Sequence, residues 1–223
     1  MTIRYLLIAT TALALTACDK SADTTVSTTT TETTDAAGNA VDNTGNAMSN
    51  AANDIGQSEP VNAVQDAVGG VVGQASAAAA NSVDGYVTNA AIGDMYEIEA
   101  SKIAQEKATA PAIKSFAAQM IKDHTATTAE VKKIVSSGSL AVTPPTQLDA
   151  RRKGFIDNLK AASAADFDEV YVDQQVAAHK EALTLHRSYV DDGDNAALKA
   201  FATKTAPKVQ AHLDMVQKMD DAT

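Results

Sequence analysis

"VDQQVAAHKEALTLHRSYV", residues 172–190, places Val172, Val176, His179, Leu183, His186 and Val190 at alternating steps of four and three. That is the period of one face of an α-helix, so both histidines share the apolar stripe. The same pattern extends to either side. A helix over about 110–136 aligns Ile113, Ala117, Met120, His124, Thr128, Val131 and Val135. Another over about 195–219 aligns Leu198, Phe201, Thr205, Val209, His212, Val216 and Met219. All four histidines of the chain therefore lie in core-facing stripes.

The punctuation between these helices sets their topology. A first helix over about 83–108 is followed by "TAP" at 109–111, with Pro111 in the first turn of the next helix, where its missing N–H costs nothing. Two helices so closely joined are antiparallel neighbours. Ser163 and Asp166 form a capping box before the third helix, about 165–190, and "DDGDN" at 191–195 turns the chain into the fourth. By contrast, about 26 residues (137–162) separate the second and third helices, with Gly138, Pro144 and Pro145 breaking the pattern. A short amphipathic helix over about 147–160 lies within them, showing Leu148, Phe155, Ile156 and Leu159 on one side. A connection of that length crosses a bundle end to end, so the expected fold is an all-α, ferritin-like four-helix bundle with a crossover carrying a short helix. A plain up-down-up-down bundle is the alternative. Pro207 is expected to kink the fourth helix about one turn before His212.

Composition limits the partners. Of 223 residues 45% are hydrophobic, a figure inflated by alanine, and only 4% are aromatic. The formal net charge of −10 argues against nucleic acid, whose phosphates need clustered cations. "RRK" at 151–153 is expected to be a solvated face, and Asp191, Asp192 and Asp194 to be turn residues. No Gly-rich phosphate loop, nucleophile elbow or triad spacing appears, and an enzyme is the less favoured assignment.

The first eighteen residues, "MTIRYLLIATTALALTAC", put Arg4 before an apolar run from Tyr5 to Leu15. The run is too short to span a hydrocarbon core of roughly 30 Å, and it reads as an export signal over residues 1–17. Leu15-Thr16-Ala17-Cys18 resembles a bacterial lipobox, which implies acylation of Cys18, the chain's single cysteine, and attachment to a membrane. The expected location is the cell envelope, facing the periplasm, with inner and outer membrane both open. Residues 18–82 are rich in Thr, Ala, Asn, Gly and Asp, and carry eight acidic residues against one lysine. So little bulky apolar surface predicts a disordered tether, leaving 83–223 as the folded domain.

"EIEASKIA" (97–104), "DH" (123–124), "FDEVY" (167–171), "VAAHKEAL" (176–183) and "PKVQAHL" (207–213) resemble a large family of exported bacterial proteins of unknown function. Its members are often labelled predicted outer-membrane proteins and are placed in the ferritin-like superfamily. The resemblance covers about 84–220; it implies the fold, an exported context and a polar centre, and supplies no activity.

His124, His179 and His212 come from three helices, and each matches a family position; Glu97 on the first helix faces the same layer. Imidazole with carboxylate suits a transition-metal ion such as iron, zinc or copper, or another small ligand, and Asp123 and Asp168 are candidate ligands or acceptors that would orient the histidines. The residues three before the four histidines are Ile121, Val176, Leu183 and Val209, so the paired Glu-x-x-His signature of di-iron carboxylate bundles is missing. The alternative function is a non-metal helical module for envelope partners or stress protection, its histidines forming a structural network.

Overall fold

The computed structural model describes residues 59–220, so the expected signal peptide, Cys18 and the tether as far as residue 58 lie outside the described residues. Six helices follow one another: α1 (Glu59–Ala79), α2 (Val83–Lys107), α3 (Pro111–Ser137), α4 (Ala150–Ala161), α5 (Phe167–Asp192) and α6 (Ala196–Asp220). The expected all-α class holds throughout the described residues.

Local chemistry places the ends. The Ser82 hydroxyl accepts from the Gly85 N–H at 3.1 Å and starts α2. Pro111 opens α3. Asp149 accepts from the Arg152 N–H at 2.7 Å to start α4, and Asn195 accepts from the N–H groups of Ala197 and Leu198 to start α6. Each cap satisfies a donor that the first helical turn leaves without an intrahelical partner. α6 continues as a helix through Pro207.

The chain's course follows from which ends meet. The N–H groups of Thr109 and Ala110, in the link between α2 and α3, both donate to the Asp168 carboxylate at the start of α5. At the opposite end, Tyr86 of α2 stacks on Tyr189 of α5 with ring centroids 4.0 Å apart. α2 is therefore antiparallel to both α3 and α5, and α3 and α5 run parallel, as the long connection requires. α4 makes the return passage between them: Arg151 near its start pairs with Glu181 in mid-α5, and Lys160 near its end pairs with Glu99 of α2.

The N-terminal boundary needs correction. Residues 59–79, expected to belong to the tether, form α1, which lies along α5 and α4. Its small residues mislead a sequence-based judgement because they docked rather than stayed solvated: Ser76 is 2% and Ala77 0% exposed, and Gly69 and Gly73 are buried. Docking, not intrinsic propensity, stabilises such a helix. A Cβ added at Gly69 would sit 2.5 Å from Phe155 Cε1 and 2.6 Å from Cζ. Replacing an interior helical glycine by alanine ordinarily gains up to about 1 kcal/mol. Gly69→Ala is expected to lose about 1–3 kcal/mol instead, because overpacking outweighs that gain. Gly93→Ala on α2, where a Cβ meets nothing within 4 Å, should show the ordinary gain; urea denaturation of the pair measures both signs.

Two apolar clusters fill the bundle. One gathers Tyr96, Phe116, Met120, Phe155, Phe167 and Tyr171, and the other Tyr86, Val131, Leu185, Tyr189, Leu198 and Phe201. Between them every bundle helix contributes buried polar residues, including Asp94 and Glu97 of α2 and one or more histidines from each of α3, α5 and α6. No helix among the described residues is long and apolar enough to cross a membrane.

Candidate metal centre

Helical period brings the histidines into this layer, and hydrogen bonds fix how each ring stands. His179, 1% exposed, has its Nδ1 2.8 Å from the Gln175 carbonyl oxygen one turn earlier on α5. A carbonyl only accepts, so Nδ1 carries the proton and donates, and Nε2 keeps its lone pair. Burial, with the charge of His124, pushes the pKa of this ring down to about 3. It is neutral at any physiological pH.

His212 is held through the other nitrogen. Its Nε2 donates to the Asp123 carboxylate at 3.0 Å, leaving Nδ1 inward. Burial and His124 lower its pKa, against the opposing pull of Asp123. His124 Nδ1 lies 2.7 Å from Asp94 Oδ1, and the hydroxyls of Thr127 and Thr128 also donate to that carboxylate, at 2.9 Å each to Oδ2. Burial would depress the His124 pKa, but the hydrogen bond and charge of Asp94 hold it above the ordinary imidazole value.

His124 Nε2, His179 Nε2 and His212 Nδ1 are buried with no hydrogen-bond partner. One ligand atom from each of the three rings lies within 4.8 Å of the others, and their centroids are 5.6–6.0 Å apart. Three ring nitrogens facing one another, lone-pair-bearing in His179 and His212 and becoming so in His124 when its ring loses a proton, each ring pinned from behind by an acceptor, is the arrangement in which outer partners fix metal-ligating imidazoles.

Glu97, 4% exposed, stands at the edge of this group. Its Oε1 is 3.8 Å from His179 Nδ1, and its Oε2 is buried without a partner. Burial pushes its carboxyl up to about 7, although the charges of His124 and Arg152 pull it back. A cavity of about 50 Å³, lined among others by Glu97, His124, Arg152, His186 and His212, opens beside the centre. That is space for a few water-sized groups.

Asp123 stands behind His212 and accepts from its Nε2. Asp168 does not reach the layer: it accepts from the N–H groups of Thr109 and Ala110 and the Thr109 hydroxyl. Burial raises its pKa, those hydrogen bonds lower it more, and the result lies below the usual carboxylate value. Its work is to tie the α2–α3 link to the start of α5. His186 is 6% exposed, with Nδ1 2.7 Å from the Tyr86 hydroxyl. Burial pushes it down to about 4. Of "RRK", expected to be a solvated face, Lys153 is exposed, but Arg151 and Arg152 are 2% and 5% exposed and share Glu181.

Asp94 is the site residue that sequence reasoning missed. The available signal was its position three residues before Glu97, on the same face of α2.

The fold and the site together define an all-helical bundle whose core contains a converging three-histidine centre. A family model described as "Domain of unknown function (DUF4142)" matches residues 71–219, and the chain belongs to that family. The match begins within α1 and runs through α6. No curated protein and no solved structure matches the chain.

Proposed function

We propose that this protein is a ferritin-like, lipid-anchored protein of the bacterial cell envelope that binds one transition-metal ion through His124, His179 and His212, with Glu97 as a further ligand. The observation that carries this is the set of three buried, unpartnered ring nitrogens. A purely structural network would be expected to pair such atoms, since a buried acceptor without a donor costs about 1–3 kcal/mol. Tetrahedral bonds of about 2.05 Å place ligand nitrogens about 3.3 Å apart, so small ring rotations within the present spread suffice. Iron, zinc and copper fit the donor set. The di-iron oxidase chemistry of carboxylate bundles is not part of the proposal, because the residues preceding these histidines are apolar. The crossover of α4 supports the ferritin-like assignment, and the Leu15–Cys18 motif supports the anchor.

Elemental analysis of the full chain, purified without chelator or His-tag, tests the metal directly. One ion per chain in the wild type and none in His124→Ala/His179→Ala is the expected result. A folded, metal-free wild type that gains no stability from zinc, iron or copper would leave an interaction or stress-protection module as the function.

Loading is expected to tighten as pH rises through neutrality. The Glu97 carboxyl, pushed up to about 7, and the His124 ring, held above its ordinary value, both lose protons when a metal binds. Each proton released changes apparent affinity by up to about tenfold per pH unit. Competition against a chromophoric chelator at pH 6 and pH 8 reads this slope, and Glu97→Gln should reduce it by about one proton.

A further inference from the structure

A second cavity, about 310 Å³, lies between α1 and the α4–α5 face, away from the three histidines. Phe155, Val170 and Val176 give it apolar walls, while Asn62, Asp66 and Asn158 supply polar lining. The hydrogen bonds around it fix the amide orientations. Gln174 Oε1 accepts from the Tyr96 hydroxyl at 3.0 Å, so Gln174 Nε2 is the group that donates to Asp66, at 2.6 Å. Asn158 Nδ2 likewise donates to Asp66, at 2.7 Å, because a carboxylate oxygen accepts. That leaves Asn158 Oδ1 over, buried and unpartnered, and Asn62 Oδ1 is in the same condition. The two residues are 1% and 6% exposed.

Every unmet group here is an acceptor. The Asp66 carboxylate is bonded by neutral amides, and the charge acting on it is that of Asp173, of the same sign. Burial pushes its carboxyl up to about 6 against those hydrogen bonds, and Asp173 adds to the rise. Lys180, exposed, also lines the cavity but forms no ion pair with Asp66 among the described residues; a half-buried carboxylate without a counter-charge in contact is unfavourable, and surplus acceptors beside it call for a donor that is also a cation. A metal ion would find Asp66 already committed to two amides and Asp173 exposed, and hard cations need several oxygen ligands. Apolar walls favour an organic body instead.

We propose that this cavity binds a small organic cation, an alkylammonium group seated against Asp66, Asn62 and Asn158 with its hydrocarbon part between Phe155, Val170 and Val176. An ammonium supplies three N–H donors and the missing charge at once.

Isothermal titration of the full chain with n-butylammonium chloride tests this, with n-butanol and calcium chloride as comparison probes. The expected result is saturable ammonium binding, at least about tenfold weaker for n-butanol and for Asp66→Asn. Asp66→Asn keeps the shape and removes a half-buried charge, so it should fold; metal content at the histidine centre should be unchanged in it. Val170→Phe, which fills the cavity from α5, should abolish binding and provides a second test. Absence of saturable binding to the folded wild type would overturn the proposal. Equal affinity in Asp66→Asn, equal affinity for n-butanol, or tighter binding of calcium than of the ammonium would overturn it equally.

Discussion

Glu181→Ala is expected to destabilise the protein by about 3–5 kcal/mol, the range for removing one partner of a buried ion pair. Glu181 is 6% exposed and accepts from both guanidiniums: Arg151 Nη2 to Oε1 at 2.8 Å, Arg151 Nη1 to Oε2 at 3.0 Å, and Arg152 Nη2 to Oε1. Without it, Arg151 loses both of its hydrogen bonds to this carboxylate, and Arg152 keeps Asp149, which it contacts at 2.6 Å and which is itself partly solvated. The loss does not stay local. Arg151 also donates to the Gly69 carbonyl of α1 at 3.2 Å, and a Cβ at Gly73 would lie 2.0 Å from Glu181 Oε2, so α1 is fitted onto this cluster. Equilibrium urea denaturation should show the drop, and limited proteolysis should cut within 59–79 sooner than in the wild type. Replacing the triad together, as Arg151→Met/Arg152→Leu/Glu181→Leu, is expected to be far less damaging, because no charge is left buried alone. A Glu181→Ala protein as stable as the wild type would mean that the triad is hydrated in solution.

The same triad shows where sequence reasoning stops. The four bundle helices were legible because each combines a bulky apolar stripe with a recognisable cap or break, and the long 137–162 connection implied the parallel pair. α1 was not, since its contact face is Gly, Ser and Ala, residues that equally make a solvated spacer. Arginine reads as exposed unless its partner is known, and Glu181 lies 29 and 30 positions away from the two it binds. The three histidines were legible because stripe position alone directs them inward. Which acceptor stands behind each ring depends on helix rotation, and Asp94 was lost for that reason. Asp168 was avoidable: it precedes His179 by eleven residues, about 16 Å along a helix at 1.5 Å per residue.

Metal binding is expected to raise stability by about 4 kcal/mol when free metal reaches roughly a thousand times its Kd. For a domain of this size each kcal/mol moves Tm by about 2–4 °C, so differential scanning with and without chelator should separate by roughly 8–16 °C. The size of the gain should depend on pH, for reasons the centre itself supplies. Glu97, with its carboxyl raised from 4.5 to about 7, adds stability that is fully present below its unfolded value and lost as pH rises through 7. His124, also raised, loses its contribution in the same direction. The chelated protein therefore weakens from these two groups between pH 6 and pH 8, and a bound cation replaces the missing positive charge where the deficit is greatest. On the acid side His179, lowered to about 3, works oppositely, its contribution vanishing as pH falls from its unfolded value toward 3. The metal-dependent rise in Tm should thus be larger at pH 8 than at pH 6, and absent at both in His179→Ala. Asp94→Asn, which keeps the three ligands but weakens the hold on His124, should retain part of it, with affinity reduced about 10- to 100-fold. A chelator-insensitive Tm at both pH values would show that the three inward nitrogens are paired by water, and the centre would then be a structural layer of the core.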